Sequence, residues 1–135
     1  MPFGNVEDRR IVAGEHWQRK PEDQDFPAAA SYLSLLVGFS AAKKLAKALQ
    51  KQDSIALFAA KDLLRASHLP LLDPNDSEVA ADLKKVSLGT KLPPVLLVWG
   101  DPLWVADGYH RICASYHIDE KSEVPCRIVP RVKPG

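Results

Sequence analysis

The segment whose residue types and spacing are most suited to chemistry is Asp107-Gly108-Tyr109-His110-Arg111. It follows the apolar run at 103–106 and precedes a helix-compatible run at 112–116, which predicts a strand, a tight glycine turn and a helix start. Backbone N–H groups at such a start have no intrahelical partner and lie at the positive end of the helix dipole. His110 and Arg111 add side-chain donors there. The segment therefore predicts a compact anion site, with phosphate as the expected anion.

Each residue of this segment also has a structural alternative. Gly108 suits either the close approach of a phosphate or an ordinary turn. His110 contacts an anion or bonds its own loop, and Arg111 binds an anion or pairs with Asp107 or Asp62. Tyr109 stacks on a base or covers the loop.

Asp107 could serve the site in two ways. It could cap the helix, or it could hold a Mg²⁺ ion that bridges to the phosphates. We favour capping, because no second carboxylate is evidently placed to share a metal.

The composition is that of one folded domain rather than a disordered chain: 135 residues, 46% hydrophobic and 26% charged. A net charge of +1 disfavours tight DNA binding. No apolar run reaches the roughly 18 residues of a membrane span. The acidic N-terminus lacks the apolar segment of a signal peptide, so we expect no membrane association and a cytoplasmic location. Cys113 and Cys126 are expected as buried thiols in a reducing compartment.

The first part of the chain predicts a loose polar arm at 1–26, pinned by Trp17 and Phe3, and two helices over 27–52. Gly38 should end or bend the first helix, and Ser40 is the candidate N-cap of the second. Apolar residues at helical spacing predict the buried face of the first helix: Tyr32, Leu33, Leu36 and Val37. Lysines opposite the apolar face of the second helix predict a solvated surface rather than a nucleic-acid contact: Lys43, Lys44, Lys47 and Lys51.

The second part predicts alternating strands and helices. They are a short strand at 55–59, helices at 61–67 and 76–88, a hairpin over 94–106, a helix at 108–117 and a last strand at 124–129. The turn at 73–77 supplies cap residues for the second of these helices. Pro125 in the last strand indicates an edge position or a strand start.

In this order the elements from about Ser54 to Val129 resemble the ParB/sulfiredoxin superfamily. The run at 92–99, LPPVLLVW, resembles its PPI-x-V strand, and the run at 107–111 resembles its G-x-H-R phosphate motif. Val124-Pro125 resembles the V/I-P pair that ends the domain. The resemblance implies a small α+β fold with phosphates bound by Gly108, His110 and Arg111. Members include ATP-binding sulfiredoxins, CTP-binding ParB clamps, an ADP-dependent serine kinase and nucleases.

The sequence departs from this family at informative positions. Tyr109 stands where sulfiredoxins have their catalytic cysteine, so we expect no sulfiredoxin chemistry. On the helix at 76–88, matching by the apolar face puts Glu78, Ala81 and Lys85 at phosphate-facing positions, and only Lys85 suits an anion. The chain has no E-N-x-x-R motif and is too short for a complete partition clamp.

The sequence thus predicts an α+β protein with a small mixed sheet and helices packed on it. An arm and helical extension occupy 1–53, a ParB/sulfiredoxin-like domain 54–130, and a tail 131–135. The expected ligand is a nucleotide or another phosphate-bearing molecule, with or without Mg²⁺, held by residues 107–111 with help from Lys85. Catalysis stays open, with Glu15, Asp62 and His110 as candidate bases.

Two alternatives remain at this stage. One is a non-catalytic interaction protein with a vestigial phosphate site, in which the helical extension binds a partner or a second copy of the chain. The other is a DNA-associated nuclease or partition-like accessory factor, which the neutral charge disfavours.

Overall fold

The computed structural model describes residues 16–131, which form five helices and a four-stranded mixed sheet, so the predicted α+β class is confirmed. The helices are α1 (Asp25–Val37), α2 (Phe39–Lys51), α3 (Ala60–Ser67), α4 (Ser77–Ser87) and α5 (Tyr109–Ile118). The strands are β1 (Ala56–Ala59), β2 (Val95–Val98), β3 (Trp104–Asp107) and β4 (Glu123–Val129).

The sheet has the order β1-β4-β2-β3 and is covered by helices on both faces. The central strands β2 and β4 are parallel, whereas β1 and β3 are antiparallel to their neighbours. Val95 and Leu97 join a core that also contains residues of α3, α4 and α5. Leu96 and Val98 join a second core with α1 and α2. Because both faces of β2 are buried, its sequence is continuously apolar rather than alternating.

Pro125 does not mark an edge strand, because β4 lies between β1 and β2. A strand start is wrong as well, because Pro125 is the third residue of β4; it pairs with Leu57 of β1, and the pairing with β2 begins one residue later, at Cys126. A proline is tolerated there because one side of the strand has no neighbour that needs its N–H.

Gly38 ends α1 in a left-handed conformation with φ of +85° and also precedes the first residue of α2. The predicted cap at Ser40 is therefore wrong, since α2 begins at Phe39 with no side-chain cap. The predicted buried face of α1 is partly wrong as well. Leu33 is buried, but Tyr32 and Leu36 are 41% and 44% exposed, because α1 packs through the row Ala29, Leu33 and Val37.

The polar segment before α1 is attached to the body through Trp17, as predicted. Trp17 is buried and forms a parallel bridge with Leu92, with backbone bonds from Gln18 N–H to Leu92 C=O and from Leu92 N–H to His16 C=O, both 2.7 Å. Phe3, Glu15 and most of the predicted arm lie outside the described residues, as does the tail beyond Arg131.

Cys113 and Cys126 are both buried free thiols, as predicted. Burial raises the pKa of Cys113, and it raises the pKa of Cys126 well above its ordinary value. Within residues 16–131 no helix is long and apolar enough to span a bilayer.

Candidate functional site

Gly108 is the only residue between the end of β3 and the start of α5. Its φ is +109°, and a Cβ at this position would lie 2.5 Å from Val95 Cγ1 and 3.0 Å from the Arg111 guanidinium. A glycine is therefore required both by the backbone conformation and by contact with β2. This explains the residue without a ligand, so a phosphate contact at Gly108 stays a prediction.

Asp107 does not cap α5, which corrects our expectation. Gly108 occupies the N-cap position, and within residues 16–131 no side chain caps the first turn. Asp107 is instead the last residue of β3, one position too early to cap, and its Oδ2 accepts a bond from Arg111 Nη2 at 3.0 Å. The Arg111–Asp107 pairing that the sequence left as an alternative is confirmed, whereas Asp62 pairs with Arg65 at 3.5 Å.

Arg111 fastens the start of α5 to the sheet. Its Nη2 also donates to the carbonyl of Pro94 at 3.1 Å, just before β2. The side chain is only 14% exposed, and its buried Nε has no hydrogen-bond partner among the described residues. The carboxylate of Asp107 therefore neutralises much of the positive charge of Arg111, which the sequence offered as a candidate for binding an anion.

His110 lies where the starts of α4 and α5 meet. Its Nδ1 is 2.8 Å from Oε2 of Glu78, which is in the first turn of α4, and its side chain is 38% exposed. The neighbouring Tyr109 donates its hydroxyl to the carbonyl of Pro70, and burial raises its pKa. Tyr109 thus covers the loop before α4. The side chain of His110 is more exposed than that of Arg111, the other basic residue of the segment.

Two carboxylates in this region were missed from the sequence, and Asp82 is the first. Burial raises the pKa of Asp82, while the nearby charges of Lys85, Arg111 and His110 lower it. Lys85 Nζ is 3.9 Å from Asp82 Oδ1, so the lysine predicted to assist an anion faces an acid. Matching by the apolar face placed Ala81, the residue before Asp82, at a phosphate-facing position. The spacing of apolar residues indicates the buried face of a helix, but it does not fix the positions of the polar side chains to within one residue.

Asp25, the second missed residue, is 5% exposed in the first turn of α1. Its Oδ2 accepts the N–H of Glu22 at 2.8 Å. Burial raises its pKa, and the charge of Asp107 and a hydrogen bond with it add to this, whereas the Glu22 N–H and Arg111 oppose it. The sequence indicated only a polar residue near a helix start; its place beside Asp107 is a tertiary contact.

The assembled region has more acids than the sequence suggested. The carboxyl groups are Asp25, Glu78, Asp82 and Asp107, and the basic groups are Lys85, His110 and Arg111. A free anion must therefore compete with carboxylates already in contact with the bases.

The carboxyl-rich surroundings do not make a metal site. Among the described residues, no three His, Cys, Asp or Glu side chains are grouped so that they could hold a metal ion. Asp107, for which Mg²⁺ binding was the less favoured alternative, is paired with Arg111. The described residues around it therefore do not fit a protein-bound Mg²⁺.

A separate cleft of about 480 Å³ lies between α2 and the end of β4. It contains none of the predicted site residues; its lining is Leu45, Ala48, Lys51, Gln52, Val129, Pro130 and Arg131.

The potential chemistry is at the start of α5, where backbone N–H groups, a half-exposed histidine and two carboxyls with raised pKa values lie together. Such groups can bind an anionic oxygen and exchange protons with it.

Comparisons with protein-family models, curated proteins and solved structures gave no significant match to this chain.

Proposed function

We propose that this chain binds the phosphate group of a nucleotide or similar ligand at the first turn of α5. The observation that supports this most directly is that no side chain in the described part of the chain caps this helix. Its first-turn N–H groups have no intrahelical partner and lie at the positive end of the dipole of a ten-residue helix. Phosphate oxygens accept hydrogen bonds from such N–H groups and carry the negative charge that this end of the dipole favours.

In this proposal His110 contacts the ligand and Arg111 positions the turn. His110 is 38% exposed and lies next to the open helix start, whereas Arg111 is 14% exposed and bonded to Asp107 and Pro94. Lys85 is 57% exposed, and its 3.9 Å contact with Asp82 is long, so it can turn toward an added anion. The ligand need not bring a metal, although Mg²⁺ bound to a nucleotide would reduce its repulsion by the four carboxyls.

Thermal-shift titrations with ATP, ADP, CTP, GTP and inorganic phosphate, each with and without Mg²⁺, test this proposal. We expect at least one ligand to raise Tm and His110→Ala to weaken its affinity about tenfold, or ~1.4 kcal/mol. Glu78→Gln should strengthen binding, because it removes a negative charge 2.8 Å from His110. Glu120→Gln, an exposed acid on another part of the surface, is the matched control and should have no effect.

Two results would contradict the proposal. One is the absence of a shift with every ligand. The other is binding that His110→Ala and Glu78→Gln leave unchanged. If a nucleotide does bind, turnover assays decide whether the chain is an enzyme, with Asp82 as an additional candidate base because burial raises its pKa.

Arg111→Ala is expected to affect both folding and binding. It leaves Asp107 and Asp25 without the guanidinium that lies beside them, so unfolding should become easier by about 2–3 kcal/mol. In protein that remains folded, loss of the positioned turn should weaken nucleotide affinity at least tenfold. A folded variant with unchanged affinity would place the ligand elsewhere.

A second candidate function is a non-catalytic interaction protein in which the phosphate site is vestigial. It is supported by the Arg111–Asp107 pair, which neutralises the motif's arginine in the absence of ligand. It predicts no nucleotide binding together with stable self-association or partner binding. Salt-sensitive DNA binding in a gel-shift assay would instead revive a DNA-associated role.

A further inference from the structure

The outward side of α1 is apolar and is not covered by any other part of the described chain, residues 16–131. No charged residue occurs from Phe26 to Val37. One side of the helix is buried through Ala29 and Leu33. On another side Leu35 is 84% exposed, with Tyr32 and Leu36 at 41% and 44%. Helices that are apolar all round are normally buried on all sides.

This outward side has the spacing of a helix-packing seam. Ala28, Ser31 and Leu35 recur at intervals of three and four residues, so they form one line along the helix, and all three are exposed. Tyr32 and Leu36 lie beside this line. We refer to these five residues as the α1 seam.

The α1 seam is self-complementary in size. Its small residues, Ala28 and Ser31, are toward the N-terminus, and its leucines are toward the C-terminus. An antiparallel second copy, with a two-fold axis between positions 31 and 32, sets Leu35 against Ala28 of the partner subunit. It likewise sets Tyr32 against Ser31 of the partner subunit. A two-fold contact of this kind satisfies both copies with the same surface.

We propose that the α1 seam is the interface of a symmetric antiparallel dimer of this chain. No charged side chain of the seam has to be desolvated, because the four lysines of the helical pair are all on α2. This inference does not depend on the nucleotide proposal, since the seam lies on α1 whereas that proposal concerns the first turn of α5.

The size of the seam fits a weak, reversible dimer. Thirteen residues make α1 about 20 Å long. Packing two such faces buries on the order of 1,000 Å², near the lower limit for specific interfaces. Phe39, 87% exposed just beyond the leucine end, can extend the contact. The dimer should therefore dissociate on dilution through the micromolar range.

Sedimentation velocity of the full chain from about 1 to 100 µM tests the proposal. We expect a monomer–dimer equilibrium whose dissociation constant rises at least tenfold in Leu35→Glu. Leu88→Glu makes the same change at a 73% exposed leucine outside the seam and should have no effect. A monomer at all concentrations would overturn the proposal, as would a dimer in which Leu35→Glu associates like the parent protein.

Cysteine cross-linking tests the orientation of the two helices. In the antiparallel register, the two copies of Ser31→Cys lie across the axis and should form a disulfide-linked dimer under mild oxidation. The two copies of Ala28→Cys are displaced by seven residues, roughly 10 Å along the helix, and should not. The native thiols Cys113 and Cys126 are buried in both variants. Efficient cross-linking of Ala28→Cys but not Ser31→Cys would overturn the proposed register and the interface with it.

Discussion

The two helices that meet at the candidate site begin in different ways. At the start of α4, the carboxylate of Asp76 accepts the N–H groups of Glu78 and Val79 at 3.2 and 3.1 Å. At the start of α5, Gly108 has no side chain, and none of the other described residues caps the helix. The difference follows from the connections. A loop leads into α4, whereas one residue joins β3 to α5, and Val95 occupies the space a Cβ would need.

This comparison shows how one protein can close one helix start and leave an adjacent one open. The closed start of α4 stabilises the fold. The open start of α5 keeps donors available, and the tertiary structure surrounds it with carboxyls that limit which anions can enter. Three substitutions test the comparison, in order of decreasing expected effect.

Gly108→Ala should have the largest effect on stability. The new Cβ meets a left-handed backbone and Val95 Cγ1 at 2.5 Å, so we expect a loss of about 3 kcal/mol in the free energy of unfolding. Gly89→Ala is the matched control: its φ is +82°, but nothing lies within 4 Å of the added atom, and about 1 kcal/mol is expected. Urea denaturation measures both. Equal losses would mean that contact with β2 does not dictate the open start of α5.

Asp76→Ala should have an intermediate effect. It removes the acceptor of two N–H groups and should cost about 1 kcal/mol, a typical value for a lost N-cap. Ser40→Ala is the control, because Ser40 matches a cap by sequence but caps nothing in α2. Its effect should stay within about 0.5 kcal/mol. If both substitutions cost the same, the Asp76 bonds do not distinguish the closed start from the open one.

Asp25→Asn should have the smallest effect, and the size of this effect depends on pH. Burial raises the pKa of Asp25 above its ordinary 3.8, so the folded state holds the proton more tightly than the unfolded state. The stability that protonation gives is therefore full below about pH 4 and is lost as pH rises through the folded pKa. Because asparagine has no charge to bury, the variant should melt ~3 °C higher at pH 7.

The gain from Asp25→Asn should vanish near pH 4, which thermal melts across this range would test. Asp23→Asn replaces an exposed acid of the same segment and should change the melting temperature neither at pH 7 nor near pH 4. A variant that is less stable at pH 7 would mean that the Asp25 charge stabilises the start of α5 rather than being crowded by Asp107.

Much of the fold was predictable because it depends on local signals. The apolar run of β2 and the strand that follows it predict a hairpin over 94–106, and β2 and β3 pair as that hairpin. The cap residues before α4 were also recognised, since an acid followed by an apolar helical pattern is a local arrangement. The buried face of α1 was predicted only in part, because a helix without charges gives little indication of which side meets the sheet.

The candidate site was predictable only in part. Residues 107–111 were located correctly at a strand–turn–helix junction, because the glycine and the change in periodicity are visible in one short segment. The cap favoured at Asp107 is wrong, because Arg111 pairs with this carboxylate. The anion contact expected of Lys85 stays a prediction, and its contact with Asp82 was not predicted.

The sequence by itself determined the elements, the class of fold and the glycine turn that starts α5, since each depends on the steric and hydrogen-bonding preferences of adjacent residues. Only the tertiary structure decided that Asp25, from a helix about eighty residues earlier in the chain, lies beside Asp107. It also decided that Glu78 contacts His110 and that one side of α1 is left uncovered by the other residues that the structure describes. The physical reason is that charge balance and burial depend on which residues are close in three dimensions rather than on their positions along the chain. They are set when the two helical layers pack on the sheet.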